Sequence, residues 1–206
     1  RQIYVLQVKD SRVEQLTADE WNHTPTAWSP DSKEVLYLAS MNPDSIFISA
    51  WIKAVNLQGE SRTILSNEWG IIHNATWLAD GKLAFAGVPA GRLYGTKNDL
   101  WVMDQDERTI ECRTTSLKNV IDGRLHDDLP VPWSISPPPI LPADDGTEAV
   151  ICVQNGGQVN VYQVSLSGPQ SAQLLASGDR FCFPLSRSGD KAVLGVSNLF
   201  DPTQLY

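Results

Sequence analysis

Apolar and polar residues alternate along this chain in short runs, each closed by a cluster of Gly, Asp, Ser, Asn or Pro. Period-two alternation over a few residues, punctuated by turn formers, is the pattern of half-buried β-strands. The clearest runs are Ile3-Tyr4-Val5-Leu6-Gln7-Val8, Ala50-Trp51-Ile52-Lys53-Ala54-Val55, Asp99-Leu100-Trp101-Val102-Met103-Asp104 and Gln158-Val159-Asn160-Val161-Tyr162-Gln163-Val164. No stretch sustains a 3.6-residue apolar period, and 13 prolines are spread through the chain, so very little helix is expected.

The runs repeat. Ala27-Trp28-Ser29-Pro30-Asp31-Ser32-Lys33-Glu34-Val35-Leu36-Tyr37 is echoed by Thr76-Trp77-Leu78-Ala79-Asp80-Gly81-Lys82-Leu83-Ala84-Phe85. Weaker copies start at Ile140 and Leu185. Each copy is a hairpin: a strand ends, an Asp/Gly pair turns the chain, and a second strand returns. A third strand with aromatic and β-branched residues follows, then a fourth (Arg12 to Thr17, Arg62 to Ser66, Thr109 to Arg113, Ala172 to Ala176). Four short strands recurring about every 40–50 residues is the period of a β-propeller blade. The expected fold is all-β, a partial or truncated β-propeller of about four blades' worth of four-stranded antiparallel sheets.

On this reading residues 1–17 end one blade, 24–66, 73–115 and 133–176 are whole blades, and 180–206 begin another. Three arrangements hide the sheet edges: a longer ring from which this is a cut-out, the favoured expectation; a small ring closed by the two ends; or two chains joined head to tail. Residues 116–136 form the longest irregular stretch, readable as a short helical turn or as a strand extension.

The net charge of −8 argues against a phosphate-backbone partner. No window has the length of an apolar membrane span, so no membrane partner is expected. The three cysteines, Cys112, Cys152 and Cys182, are far apart and sit in apolar runs, where they read as small buried hydrophobes. Their scarcity fits a reducing, cytoplasmic location. Trp28, Trp77 and Trp101 fall at repeat positions and are expected to pack between blades, whereas Trp21, Trp69 and Trp133 are left as possible surface anchors. Asp31, Asp80 and Asp145 are spaced as turn residues rather than as a catalytic pair.

The sequence Ala27-Trp28-Ser29-Pro30-Asp31-Ser32-Lys33 resembles the repeat of prolyl-oligopeptidase-type and TolB-type propellers, and Asn98 to Asp104 resembles the strand that follows it. Ser186-Arg187-Ser188-Gly189-Asp190-Lys191-Ala192-Val193-Leu194, with Pro202-Thr203-Gln204-Leu205-Tyr206, is similar to the blade preceding the hydrolase domain of acylaminoacyl peptidases. Ser32 departs from the usual turn glycine, and the third unit, with Pro137-Pro138-Pro139, lacks the tryptophan.

The resemblance implies a non-catalytic propeller that gates and orients short peptides for an α/β-hydrolase domain of the same polypeptide. No G-x-S-x-G nucleophile elbow occurs, so no catalytic residue is assigned in this chain. No cofactor or metal is expected; His126-Asp127-Asp128 reads as a solvated loop rather than a cation site. His23, His73 and Arg180 precede innermost strands, which would set them near the tunnel mouth; His73 and Arg180 are the candidate substrate-gating residues. Exposed blade edges offer a route to dimerisation. The alternative function is a TolB-like or WD40-like scaffold that binds a protein partner.

Overall fold

Alternating strands with tight turns leave the chain no means of burying apolar faces except by stacking sheet on sheet, and that is the architecture found in the computed structural model. It describes residues 1–41, 50–92, 96–118, 120–121, 140–198 and 204–206. A two-stranded sheet comes first, β1 (Tyr4–Gln7) and β2 (Arg12–Gln15). A four-stranded meander follows, β3 (Asn22–Trp28), β4 (Glu34–Ser40), β5 (Trp51–Asn56) and β6 (Ser61–Leu65), and then a second, β7 (Gly70–Trp77), β8 (Leu83–Pro89), β9 (Asp99–Asp104) and β10 (Thr109–Cys112). Strand β11 (Val120–Ile121) joins the fourth sheet, β12 (Leu141–Pro142), β13 (Glu148–Asn155), β14 (Gln158–Ser165) and β15 (Ala172–Ala176). The last sheet is β16 (Phe181–Ser188), β17 (Lys191–Ser197) and β18 (Gln204–Leu205). Among the described residues pairing is antiparallel, except for one parallel bridge between Val159 and Phe181 that links the fourth sheet to the fifth.

The irregular stretch after Cys112 contributes a strand at its described part: β11 pairs with β13 through Val120 to Gln154 and Ile121 to Val153. His126, Trp133 and the triple proline lie outside the described residues. One 3-10 turn, Asn67–Trp69, precedes β7.

The apolar clusters lie between sheets. Ile3, Leu16, Val35, Tyr37, Ala39 and Val55 join the first sheet to the second. Leu36, Ile52, Ile72, Leu83, Phe85 and their neighbours join the second to the third. Leu100, Val102, Ile121, Ile151, Val153 and Val164 belong to the cluster between the third and fourth. Val150, Val161 and Cys182 form the smallest cluster, between the fourth and fifth. Alternation explains this: within β4, Leu36 faces the third sheet while Val35 and Tyr37 face the first.

Polar groups tie neighbouring sheets as well. Arg113, just past β10, is 5% exposed. Its Nε donates to the Ser165 carbonyl (3.3 Å) and its Nη2 to the Gly168 carbonyl (2.7 Å), both in the fourth sheet's β14–β15 turn region. From β6, Arg62 makes two hydrogen bonds to Glu34, Nε to Oε1 at 3.0 Å and Nη2 to Oε2 at 2.7 Å. The same guanidinium lies over the Trp77 ring of the third sheet.

The repeated turn is built alike in three sheets. The amides of Ser32, Gly81 and Gly146 donate to the carbonyls of Ser29, Leu78 and Ala143 at 2.8, 3.0 and 2.9 Å. The carboxylates of Asp31, Asp80 and Asp145 accept from the amides of Lys33, Lys82 and Thr147 at 3.2, 3.1 and 3.0 Å. Ser32 adopts φ 58°, the left-handed conformation that Gly81 and Gly146 adopt at the same place. Its turn carries an extra pair of bonds, with Ser29 Oγ accepting from the amides of both Lys33 and Glu34, and these stabilise the conformation that a serine adopts at a cost. Trp28 departs from expectation: it is 49% exposed, whereas its repeat partner Trp77 is 9% exposed beneath Arg62. Arg12 of the outer strand β2, nearest in role to Arg62, is instead paired with Glu14.

Candidate functional site

First strands approach one another at two of the junctions: β3 lies against β7, and β12 approaches β16, which also packs on β13 and β14. In such a radial stack the first strands line the central axis, and their starts share one rim.

Three of these first strands are irregular at their middles. Register shifts fall between Pro25 and Ala27 in β3, between Ile72 and Asn74 in β7, and between Pro184 and Ser186 in β16. The extra residues are therefore Thr26, His73 and Leu185. A bulge leaves one residue out of the ladder and re-aims its side chain. His73 is thus within β7, in the bulge, rather than before the strand as the sequence suggested. It is half-buried.

Gly87 makes this bulge possible. It pairs with Ile72 on the opposite strand, and a Cβ built on it would lie 2.2 Å from the Ile71 carbonyl oxygen. The same glycine's carbonyl accepts the Trp101 Nε1 hydrogen at 3.0 Å. Any side chain here would push the β7 backbone off its path, and His73 with it.

Arg180 immediately precedes β16 and is exposed. Its guanidinium folds back locally: Nε donates to the Ser177 carbonyl at 3.1 Å and packs on the Cα of Gly178, where a Cβ would meet it at 3.2 Å. Its amide donates to the Gly178 carbonyl at 2.8 Å, so the chain turns tightly before entering the strand. His73 belongs to the third sheet, in the bulge at the middle of β7, and Arg180 to the fifth, just ahead of β16.

His23 is different. It is the second residue of β3, and its side chain is fully buried. Nε2 lies 2.7 Å from the Asp19 carboxylate, and the ring stacks on Tyr37 with centroids 4.9 Å apart at 12°. Nδ1 has no partner among the described residues. Burial pushes the Tyr37 phenol above its ordinary value, opposed by its hydrogen bond to Ser61 and reinforced by the Asp19 charge. His23 therefore holds the junction between the first and second sheets, buried against Tyr37 and bonded to Asp19. Its register partner Ala39 corresponds to Gly87 in the next sheet, which places His23 where Ile72 stands there.

The tryptophans left as surface anchors are packed where described. Trp21 meets Trp51 edge-on at 4.9 Å with the Lys53 ammonium 5.2 Å from its ring centroid, and Trp69 meets Phe85 and Trp101 at 4.8 and 5.1 Å. Cys112, Cys152 and Cys182 form no disulfide with one another; Cys152 and Cys182 are buried and Cys112 half-buried, and burial raises the thiols of Cys112 and Cys182 above their usual range. Among the described residues, no group of three His, Cys, Asp or Glu side chains is arranged to hold a metal ion.

No protein-family model matches the sequence, and no curated protein matches it. Solved structures do. TolB from Acinetobacter baumannii superposes with a TM-score of 0.63 at 14% identity, covering 99% of this chain and 47% of that one. The β-propeller domain of the Trilobed protease from Pyrococcus furiosus gives 0.56 at 11% identity, covering 99% of this chain and 72% of that one. A puromycin-hydrolysing peptidase from Mycobacterium tuberculosis gives 0.59 at 17% identity, covering 96% of this chain and 33% of that one. The chain thus spans about half the length of that TolB and a third of that peptidase. At these identities the likeness establishes the fold, a β-propeller.

Proposed function

We propose that this chain is the non-catalytic propeller portion of an acylaminoacyl-peptidase-like serine peptidase. It would act by gating and orienting short peptides for an α/β-hydrolase domain carried elsewhere in the polypeptide, in the cytoplasm. The observation that carries the reading is the run from Ser186 to Tyr206. Its residues resemble the blade that precedes the hydrolase in that subfamily. Likeness to the propellers of the M. tuberculosis puromycin-hydrolysing peptidase and of the Trilobed protease supports a peptidase context.

The mechanical role follows from size selection and positioning. A rigid ring passes short flexible peptides, rejects folded chains, and holds the substrate in a narrow range of orientations. His73, raised out of the β7 ladder, and Arg180, at the start of β16, would contact the peptide on its way in. Arg180 suits a peptide carboxylate or backbone carbonyl.

The test uses the polypeptide encoded by the whole gene. A hydrolase domain with a G-x-S-x-G elbow and cleavage of N-acylated short peptides are expected. Arg180→Glu should lower kcat/KM for short peptides and leave a minimal chromogenic ester unaffected. An unchanged kcat/KM for every peptide would remove Arg180 from the gate. A gene with no such elbow would favour the second reading, a scaffold that binds a protein partner, which the TolB likeness supports.

A further inference from the structure

The outermost strand of a propeller sheet has a free backbone edge, and natural sheets protect such edges with charge. Strand β2 carries Arg12 and Glu14, β6 carries Arg62, and β10 carries Glu111. Strand β15, Ala172-Gln173-Leu174-Leu175-Ala176, carries no charge, and none occurs from Ser167 to Gly178. Leu174 and Leu175 are 47% and 46% exposed.

The backbone of β15 is also set for pairing. The Ser165 amide donates to the Ser171 carbonyl at 3.0 Å, so these two form a hydrogen-bonded pair. Antiparallel pairs alternate. Gln163 with Gln173 is then hydrogen-bonded, and Tyr162 with Leu174 is not. The Leu174 N–H and C=O consequently point away from β14, to the open edge.

The sequence is close to a palindrome about this residue: Ser171-Ala172-Gln173-Leu174-Leu175-Ala176-Ser177. Laid antiparallel on itself with a two-fold axis at Leu174, it sets Leu174 opposite Leu174, Gln173 opposite Leu175, Ala172 opposite Ala176 and Ser171 opposite Ser177. No like charges meet, and the large side chains that face each other are leucine against leucine at the axis and Gln173 against Leu175 on either side of it. The same operation on β6 or β10 would bring Arg62 or Glu111 near its own copy.

We propose that β15 is a self-association edge, on which a second copy of this chain adds its own β15 antiparallel across a two-fold axis at Leu174. The interface is isologous. Leu175 is a bulge in the pairing with β14, which resumes at Ala176; the bulge bends β15 and keeps the outer ladder short. The buried area therefore falls at the small end of specific interfaces, and the dimer should be reversible and concentration-dependent.

Sedimentation velocity across a concentration series tests this. The sedimentation coefficient should rise with concentration, and Leu174→Lys should hold it at the monomer value throughout, with an unchanged circular dichroism spectrum and melting temperature. Leu6→Lys and Val193→Lys, on exposed apolar positions of the first and last sheets, should leave the association as in the parent. A hydrogen-bonded antiparallel pair has Cα atoms about 5.5 Å apart, within disulfide reach. Leu174→Cys should therefore oxidise to a covalent dimer in high yield, and Leu6→Cys should not. A monomer at every concentration, dimer persisting in Leu174→Lys, or loss of dimer in Leu6→Lys would each overturn the proposal.

Discussion

The guanidinium of Arg62, on the outer strand of the second sheet, lies 5.7 Å from the centroid of the Trp77 ring in the third. Glu34 holds that guanidinium through two hydrogen bonds and raises its pKa above the ordinary value. The cation thus closes the rim of the cluster between the two sheets. Arg62→Ala should lower stability by about 1 kcal/mol, because the pair is partly solvated and the ring contact is of similar worth. Arg62→Lys keeps the charge but loses the two-pronged bond, and should recover only part of this. Urea melts of the three proteins check the order.

Arg113 offers a larger effect. It is buried, and its hydrogen bonds to the Ser165 and Gly168 carbonyls cross from the third sheet to the fourth. Arg113→Ala leaves those carbonyls without a donor and should cost about 2–4 kcal/mol. Thermal denaturation should show the loss, and Arg113→Lys, with one point charge in place of a fork, should restore little of it.

The repeat turns make stability depend on pH. Ser29 Oγ, the Lys33 ammonium and the Lys33 amide all favour the Asp31 carboxylate and hold its pKa at about 2. A carboxyl depressed in the folded state adds stability that is complete above its unfolded pKa, about 4, and is lost as pH falls toward the folded value. Asp145, lowered by the Thr147 amide and hydroxyl, acts in the same sense. Asp31→Asn should flatten the fall in melting temperature between about pH 4 and pH 2. A carbon-detected NMR titration of the Asp31 carboxyl should give a midpoint near 2.

Gly87→Ala should destabilise the chain by about 1–3 kcal/mol, since its Cβ must displace backbone rather than a flexible side chain. It should also move the His73 imidazole resonances in an NMR spectrum, because the bulge that presents His73 rests on Gly87. Unchanged His73 shifts would separate the bulge from the glycine.

These residues mark what the sequence discloses. The meanders and the turns follow from period-two runs and Asp/Gly punctuation, both local features. Ser32 was legible as a departure, and the left-handed backbone beneath it follows from turn geometry. The bulge at His73 was not legible, because it depends on a glycine on another strand, fourteen positions on in sequence. Trp28 and Trp77 read alike in the repeat and end in different surroundings, since cover comes from the preceding sheet's outer strand. His23 and His73 also read alike. One register position apart in their sheets, they finish as a buried junction residue and a bulge residue.

Among the described residues each apolar cluster is shared by two neighbours, so peeling off the fifth sheet would bare Val150, Val161, Cys182 and the few side chains around them. Cys152 donates to the Cys182 carbonyl at 3.5 Å across the same seam. Both thiols are concealed while the seam is shut. Their alkylation rate is therefore a clock for that single opening event, and it should run faster than global unfolding permits.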